Sequence, residues 1–299
     1  MTDDSSPATK ITAAIAGRVD KAIAHHYPEA GRRQLAALFD EGCVRVAGKR
    51  AKKGDRVEVG DEIELTRQPV SGDALRAQAD PDVRFDVLVE RDDLVAINKP
   101  AGIPSQPLRA GERGTAANGI VARWPECAAL GDDPRDGGLV HRLDIGTSGV
   151  LIAARTEAAY RALRDAFASG NVDKTYLAIT DGRPVARGCD APLAQRGNHV
   201  AVDVVNGLDA QTELVVERQA GKHALVRCMA RTGRMHQVRA HLAHVGSPIA
   251  GDTLYGGVKL GELDGFFLHA SRVHVAAMSL TVEAPLPASF VAALAAAGL

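Results

Sequence analysis

From Gly149 to Ala154 the chain reads Gly-Val-Leu-Ile-Ala-Ala, a run without a polar side chain, and just ahead of it stand His141, Arg142 and Asp144. A run of that length bounded by turn residues is a buried strand, so the chain must build a core around it. An arginine and an aspartate at the point of entry cost free energy unless each is paired. The intervening Gly146-Thr147-Ser148-Gly149 lacks the lysine and spacing of a nucleotide-binding loop. Taken alone, the segment reads equally well as a structural ion pair on a glycine-rich turn.

The 299 residues, 45% hydrophobic and 24% charged, suffice for one large domain plus a small one and exclude a mostly disordered chain. No apolar run nears the ~20 residues of a membrane span. The start, Met1-Thr2-Asp3-Asp4-Ser5-Ser6-Pro7, lacks the positive charge and apolar stretch of a signal peptide, so a cytoplasmic protein is expected. Cys43, Cys127, Cys189 and Cys228 form no C-x-x-C pair and suggest neither a disulfide framework nor a thiolate zinc site. The net charge of -1 hides an asymmetry: residues 10–67 carry twelve Lys and Arg against nine Asp and Glu, which leaves -4 for the rest. The basic end is therefore N-terminal.

Ile11, Ile15, Val19 and Ile23 recur at helical spacing, and Leu35, Leu38 and Phe39 predict a second helix closed by Gly42. Val44 to Leu65 then alternates between turns at Gly48, Gly54 and Gly60, which is strand periodicity. Arg32, Arg33, Arg45, Lys49, Arg50, Lys52, Lys53 and Arg56 gather here, as a solvated face or as an anion-binding one. Residues 1–10 read as disordered, 11–67 as a small module, 68–83 as a linker and 84–299 as the main domain. In the latter, strands are expected at Phe85–Glu90, Asp93–Asn98, Lys174–Thr180, Leu214–Glu217 and Lys222–Met229, with a helix from the Thr156 cap to Gly170. A last helix over about Met235–Val245 would turn Met235, Val238, Leu242 and Val245 inward. Strands outnumber helices without regular alternation, so the class is α+β: a mixed, mainly antiparallel sheet with flanking helices.

Two further polar groupings stand out. Lys174-Thr175-Tyr176 places a lysine and a tyrosine on one strand face. Arg231-Thr232-Gly233-Arg234-Met235-His236-Gln237-Val238-Arg239-Ala240-His241 runs on to His244 and to Gly251-Asp252-Thr253-Leu254-Tyr255-Gly256. Three histidines raise the question of a metal, but the H-E-x-x-H pattern with its carboxylate base is missing, and no metal is expected. A helix bearing Arg234 and Arg239 suits an anion better, either phosphate or a protein carboxylate.

Together these sets resemble the RluA-type pseudouridine synthase family. H-R-L-D-x-x-T-S-G, K-x-Y, R-T-G-R-x-H-Q-V-R-x-H-L and G-x-P-I-x-G-D-x-x-Y-G occur in that family's order, with Asn98-Lys99-Pro100-Ala101-Gly102 before them and Leu268-His269-Ala270 after. The likeness covers residue 84 to the C-terminus. The first 67 residues resemble the small S-four-type RNA-binding module, with Arg32 at its basic position and Val-Arg-Val-Ala-Gly-Lys over residues 44–49. The combination resembles members that modify large-subunit ribosomal RNA.

The resemblance implies a central cleft in the main domain, no cofactor and an RNA partner; nothing in the sequence suggests an obligate assembly, so a monomer is expected. It makes Asp144, Tyr176 and Arg239 catalytic: the aspartate works ionised on a flipped-out uridine, the arginine pairs with it, and the tyrosine stacks on the base. Attack on the base and action at the sugar carbon both remain open for Asp144. Arg142 is expected to fill the space the base vacates, and Lys174 either pairs structurally or contacts phosphate. Arg234, Arg32, Arg33, Lys49 and Arg50 are further expected RNA contacts. Ile145-Gly146 and Ile103-Pro104-Ser105-Gln106-Pro107 depart from the commonest family pattern and bear on the pocket rim. Of other classes, a non-catalytic RNA-binding assembly factor would have no use for a buried nucleophile. A glycosidase would need paired carboxylates where the motif offers one.

Overall fold

The computed structural model describes residues 8–28, 30, 32–69 and 75–299. The chain divides into two units, one running to Arg76 and taking in Leu108–Gly111, the other made of Ala77–Pro107 and Glu112–Leu299.

The first unit contains β1 (Thr9–Thr12), β2 (Gly17–Arg18), α1 (Val19–His26), α2 (Arg32–Asp40), β3 (Val44–Val46), β4 (Lys49–Arg50), β5 (Arg56–Val57) and β6 (Glu62–Leu65). An antiparallel sheet in the order β1-β6-β3-β4 packs with the helices around Ile11, Val19, Ile23, Leu35, Leu38, Val44, Ile63 and Leu65. Two expectations need correction. Thr9 and Lys10 lie in a strand, so ordered chain begins inside the stretch read as disordered; residues 1–7 of that stretch lie outside the described residues. The helix read from Ile11 begins only at Val19, because Ile11 pairs with Ile63 across β1 and β6 and Gly17 takes φ +136° before the helix starts. Cross-strand pairing overrides the four-residue spacing, and Ile15, which that spacing would bury, is exposed.

The second unit is built on a nine-stranded sheet. Its strands are β7 (Asp86–Glu90), β8 (Leu94–Lys99), β9 (Ser148–Ala154), β10 (Asp173–Asp181), β11 (Gly188–Cys189), β14 (Thr212–Ala220), β15 (His223–Ala230), β16 (Leu268–Val275) and β17 (Leu280–Glu283). A separate hairpin, β12 (Leu193–Arg196) and β13 (His199–Val202), stands outside it. The order is β11-β14-β15-β10-β16-β9-β8-β7, with β17 beside β16. All pairings are antiparallel except β9 with β16, as the α+β expectation requires. The helices are α3 (Ala116–Arg123), α4 (Glu157–Ala168), α5 (Gln237–His244) and α6 (Ala288–Ala297).

The apolar run sits where its composition demands. All seven residues of β9 are buried: Val150, Ile152 and Ala154 pack toward α4, and Leu151 and Ala153 toward α3. Gly149 has φ +115°, and a Cβ there would stand 2.2 Å from the Ala270 carbonyl oxygen. Only glycine lets β9 lie parallel against β16, and that contact fixes the turn carrying Asp144. The α4 cap forms as read, with the Thr156 hydroxyl accepting from the Ala159 amide. Among the described residues no helix is long and apolar enough to cross a membrane.

Candidate active site

Asp144 opens a tight turn closed by Thr147 N–H donating to the Asp144 carbonyl at 3.0 Å. Both flanks of the turn are pinned. The Ser105 hydroxyl donates to the Leu143 carbonyl at 2.7 Å and accepts from its amide at 3.0 Å. On the far side the Lys99 ammonium, fully buried, donates to the carbonyls of Pro100, Ile103 and Ile145 at 2.9, 2.8 and 3.3 Å. Burial pulls the Lys99 pKa down to about 8, with the nearby Asp144 charge opposing. Earlier in the motif His141 accepts from the Ile152 amide through Nε2 at 3.1 Å and stacks on Phe167. Burial first, and then Lys174, hold His141 down to about 3, so it is a neutral structural anchor.

Arg239 comes from α5, 95 residues away in sequence, and its Nη1 donates to Asp144 Oδ2 at 3.0 Å. Its other edge is two-pronged on Asp252: Nε to Oδ2 at 2.7 Å and Nη2 to Oδ1 at 2.9 Å. The guanidinium lies 4.4 Å from the Phe266 ring centroid and 5.0 Å from that of Tyr255. Burial works against its charge, but Asp252 and then Asp144 more than offset this, so its pKa stands above the ordinary value. The side chains of Arg239 and Asp252 are 7% and 2% exposed while that of Asp144 is 24% exposed, so of the three it is Asp144 that meets solvent.

His236 precedes α5 at φ 52°, a left-handed conformation unusual for a non-glycine residue. Its Nε2 is 3.8 Å from Asp144 Oδ1 and its Nδ1 3.0 Å from the Tyr255 hydroxyl, which accepts from the Val200 amide. Burial lowers its pKa while Asp144 opposes the shift. The same left-handed residue starts the helix later than the sequence pattern predicts. Met235 therefore falls outside it and is exposed rather than inward, whereas Val238 and Leu242 are buried.

Tyr176, on β10, is half-buried between the clusters under α3 and α5. Burial and then the Asp144 charge raise its phenol pKa, so it is a neutral hydroxyl at physiological pH. Lys174 on the same strand is buried, and its ammonium donates to the Thr232 carbonyl at 2.9 Å. Burial, then Arg234, bring its pKa to about 8. Of the two roles open for Lys174, the geometry favours the structural one, a tether for the Arg231–Arg234 segment. Arg234 is exposed and donates to the Asp209 carbonyl at 2.9 Å. Arg142 is exposed beside Asp133, whose pKa it helps to lower.

In the first unit Lys49 is exposed on β4. Arg50 next to it turns its guanidinium onto the Phe39 and Asp40 carbonyls at 3.2 and 3.1 Å, closing the C-terminal end of α2. Arg32 and Arg33 open α2, and their side chains lie outside the described residues.

The sequence reading assigned no role to Asp252, His236, Tyr255, Phe266, Lys99 or Ser105. The signal available was position: all but Ser105 and Phe266 fall inside the quoted motifs. His241, weighed as a metal ligand, is buried with Nδ1 2.9 Å from Thr212 Oγ1 and Nε2 3.0 Å from the Ala191 carbonyl. His269 likewise bridges Ser148 Oγ at 2.9 Å and the Ala284 carbonyl at 3.1 Å. The departure at Gly146 has a steric reason, since a Cβ there would stand 2.6 Å from the Phe266 ring.

This arrangement presents one partly open carboxylate, kept beside a fixed guanidinium and a neutral phenol. Residues 93–244 match the family model described as RNA pseudouridylate synthase. The chain is 34% identical over 290 residues to the Ribosomal large subunit pseudouridine synthase D of Xanthomonas campestris pv. campestris, covering 90% of this chain and 86% of that one. It is 33% identical over 312 residues to the protein of the same name from Xylella fastidiosa, covering 96% and 92%. Among solved structures, the human RNA Pseudouridylate Synthase Domain Containing 4 aligns with a TM-score of 0.59 at 24% identity, over 71% of this chain and 93% of that one, a likeness of fold.

Proposed function

The chain belongs to the RNA pseudouridylate synthase family, and from that premise we propose that it isomerises specific uridines to pseudouridine in large-subunit (23S) ribosomal RNA, with Asp144 as the catalytic carboxylate. The observation that carries the reading is the Arg239–Asp144 contact at 3.0 Å, with Tyr176 near enough to feel the Asp144 charge: three side chains from three separate motifs.

The reaction detaches uracil from C1′, turns it, and rejoins it through C5; C5 gives up a proton and N1, freed from the sugar, takes one up, so the product is an isomer. Apart from that proton exchange no atom enters from outside, so the protein must supply a negative group at the reacting centre, hold the loose base, and keep it from escaping. Asp144 supplies the charge, and Arg239 fixes its rotamer. Tyr176 offers an aromatic face to the flipped base, a contact of about 1–3 kcal/mol. Its phenol is protonated at rest, so it enters the reaction with a proton, and the same residue helps to move one.

A stacked uridine must first leave the helix, at a cost of a few kcal/mol. Arg142, exposed two residues before Asp144, takes the vacated space and contacts phosphate. The first unit is an S-four-type module that grips RNA with Lys49 and its basic neighbours, with Arg32 and Arg33 at the start of α2. Arg234 adds a phosphate contact from the second unit. The protein works as a cytoplasmic monomer. A pseudouridine map of ribosomal RNA from cells lacking this protein, set beside wild type, tests the reading: loss of defined large-subunit sites supports it, and an unchanged map refutes it.

A further inference from the structure

The Gly251–Gly256 segment delivers the side chain with the most hydrogen bonds to Arg239. Asp252 takes the two-pronged edge of the guanidinium at 2.7 and 2.9 Å, whereas Asp144 receives a single N–H at 3.0 Å. A fork of that kind is the stronger mode of pairing, so the arginine's charge is matched first by Asp252.

The segment is built to hold this carboxylate still. Gly251 has φ +83°, and a Cβ on it would stand 2.0 Å from the Gly265 carbonyl oxygen, so the loop closes only with glycine there. The Tyr255 and Gly257 amides both donate to the Asp252 carbonyl, at 3.0 and 2.9 Å. Phe266 and Tyr255 lie against the guanidinium at 4.4 and 5.0 Å.

Without Asp252 the fork would be free to swing onto the other carboxylate within reach. Asp144 would then be clasped through both oxygens, its negative charge fully matched and its reactive oxygen occupied. We propose that Asp252 is a positioning residue that engages the two-pronged edge of Arg239, so that Asp144 keeps one guanidinium contact and leaves Oδ1 for the nucleotide. This rests on the proposed isomerase reading.

The test uses the full-length chain and, as probe, unmodified large-subunit ribosomal RNA transcribed with uridine tritiated at C5, whose label is released as pseudouridine forms. Asp252→Asn is expected to lower kcat by roughly 10- to 100-fold with KM within about twofold, as for other residues that orient a reacting group. Asp252→Glu recovers part of the loss, because it restores the anion on a longer stem. Wild-type kcat in Asp252→Asn, or a loss confined to KM, overturns the proposal.

A second measurement needs no substitution. In the spectrum of wild-type protein with 15N-labelled arginine, Arg239 is expected to show a slowly exchanging Nε–H and distinct Nη protons. A fast-exchanging, freely rotating guanidinium would contradict the positioning role. If wild type releases no tritium from any RNA, the isomerase reading falls, and the arginine spectrum still decides for or against Asp252.

Discussion

Arg239→Lys separates charge from geometry at the centre of the site. Lysine keeps the positive charge but has no planar fork, so one ammonium cannot serve Asp252 twice and Asp144 once. Of three charge-assisted bonds at 2.7, 2.9 and 3.0 Å, about two are lost. At 1.5–3 kcal/mol each, and taking the low end because the ammonium still attracts both anions, the cost is about 3–4 kcal/mol. The pair with Asp252 is almost completely buried, so solvent screening does little to reduce this. At about 2–4 °C per kcal/mol for a unit of this size, thermal unfolding should fall by roughly 6–16 °C. Calorimetry reads the midpoint, and tritium release from C5-labelled RNA, measured well below it, should fall at least tenfold. A midpoint within 2 °C of wild type, or near-normal turnover, would show that the fork is not what holds the site together.

Gly149→Ala would force a Cβ against the Ala270 carbonyl at a φ of +115°, and urea unfolding should show it among the most damaging single-methyl additions in the chain. Lys99 has a pKa near 8 when folded against an ordinary 10.5, so between those values the unfolded chain binds the extra proton and this group's contribution to stability rises with pH. At pH 9, Lys99→Met should reduce the protons taken up on unfolding by about one, read from the buffer dependence of the unfolding enthalpy; no change would contradict the buried ammonium. Arg142→Ala should lower kcat/KM by roughly tenfold or more while leaving the melting curve in place, since the side chain is exposed and would act only in holding the helix open. Deleting residues 1–67 should weaken RNA affinity and flatten its dependence on salt by removing several cationic contacts, and an unchanged slope would remove RNA binding from the first unit.

How far the sequence discloses this molecule depends on whether the information is local. The buried strand β9 is written in its own composition, and the α4 cap in Thr156. Helix α3 is not, because Asn118 and Gly119 in its first turn are weak helix formers. The structure shows Asn118 completing a capping box with Thr115, and Gly119 passing so close to Phe85 that a Cβ would stand 2.7 Å from its ring. Ile11 misleads for the opposite reason, since its helical spacing is overruled by a strand partner 52 positions on at Ile63.

At the site, the Asp144–Arg239 pairing was legible only through the resemblance of ordered motifs. Nothing in composition or spacing says which of several arginines will reach which carboxylate. Asp252 was in plain view inside a motif, but its use depends on where α5 sets Arg239, and that is a tertiary fact. Lys99 ends a strand where a lysine would ordinarily reach water. Its ammonium instead turns to three loop carbonyls, because the Pro100–Ile103 and Ile145 loops fold over it.

The proposed isomerisation rests on Asp144. Asp144→Asn keeps the shape of the side chain and removes its charge, so the variant should fold, bind RNA with an affinity close to wild type, and form no pseudouridine when incubated with unmodified large-subunit ribosomal RNA and mapped chemically. Pseudouridine appearing at the wild-type positions at a comparable rate would contradict it.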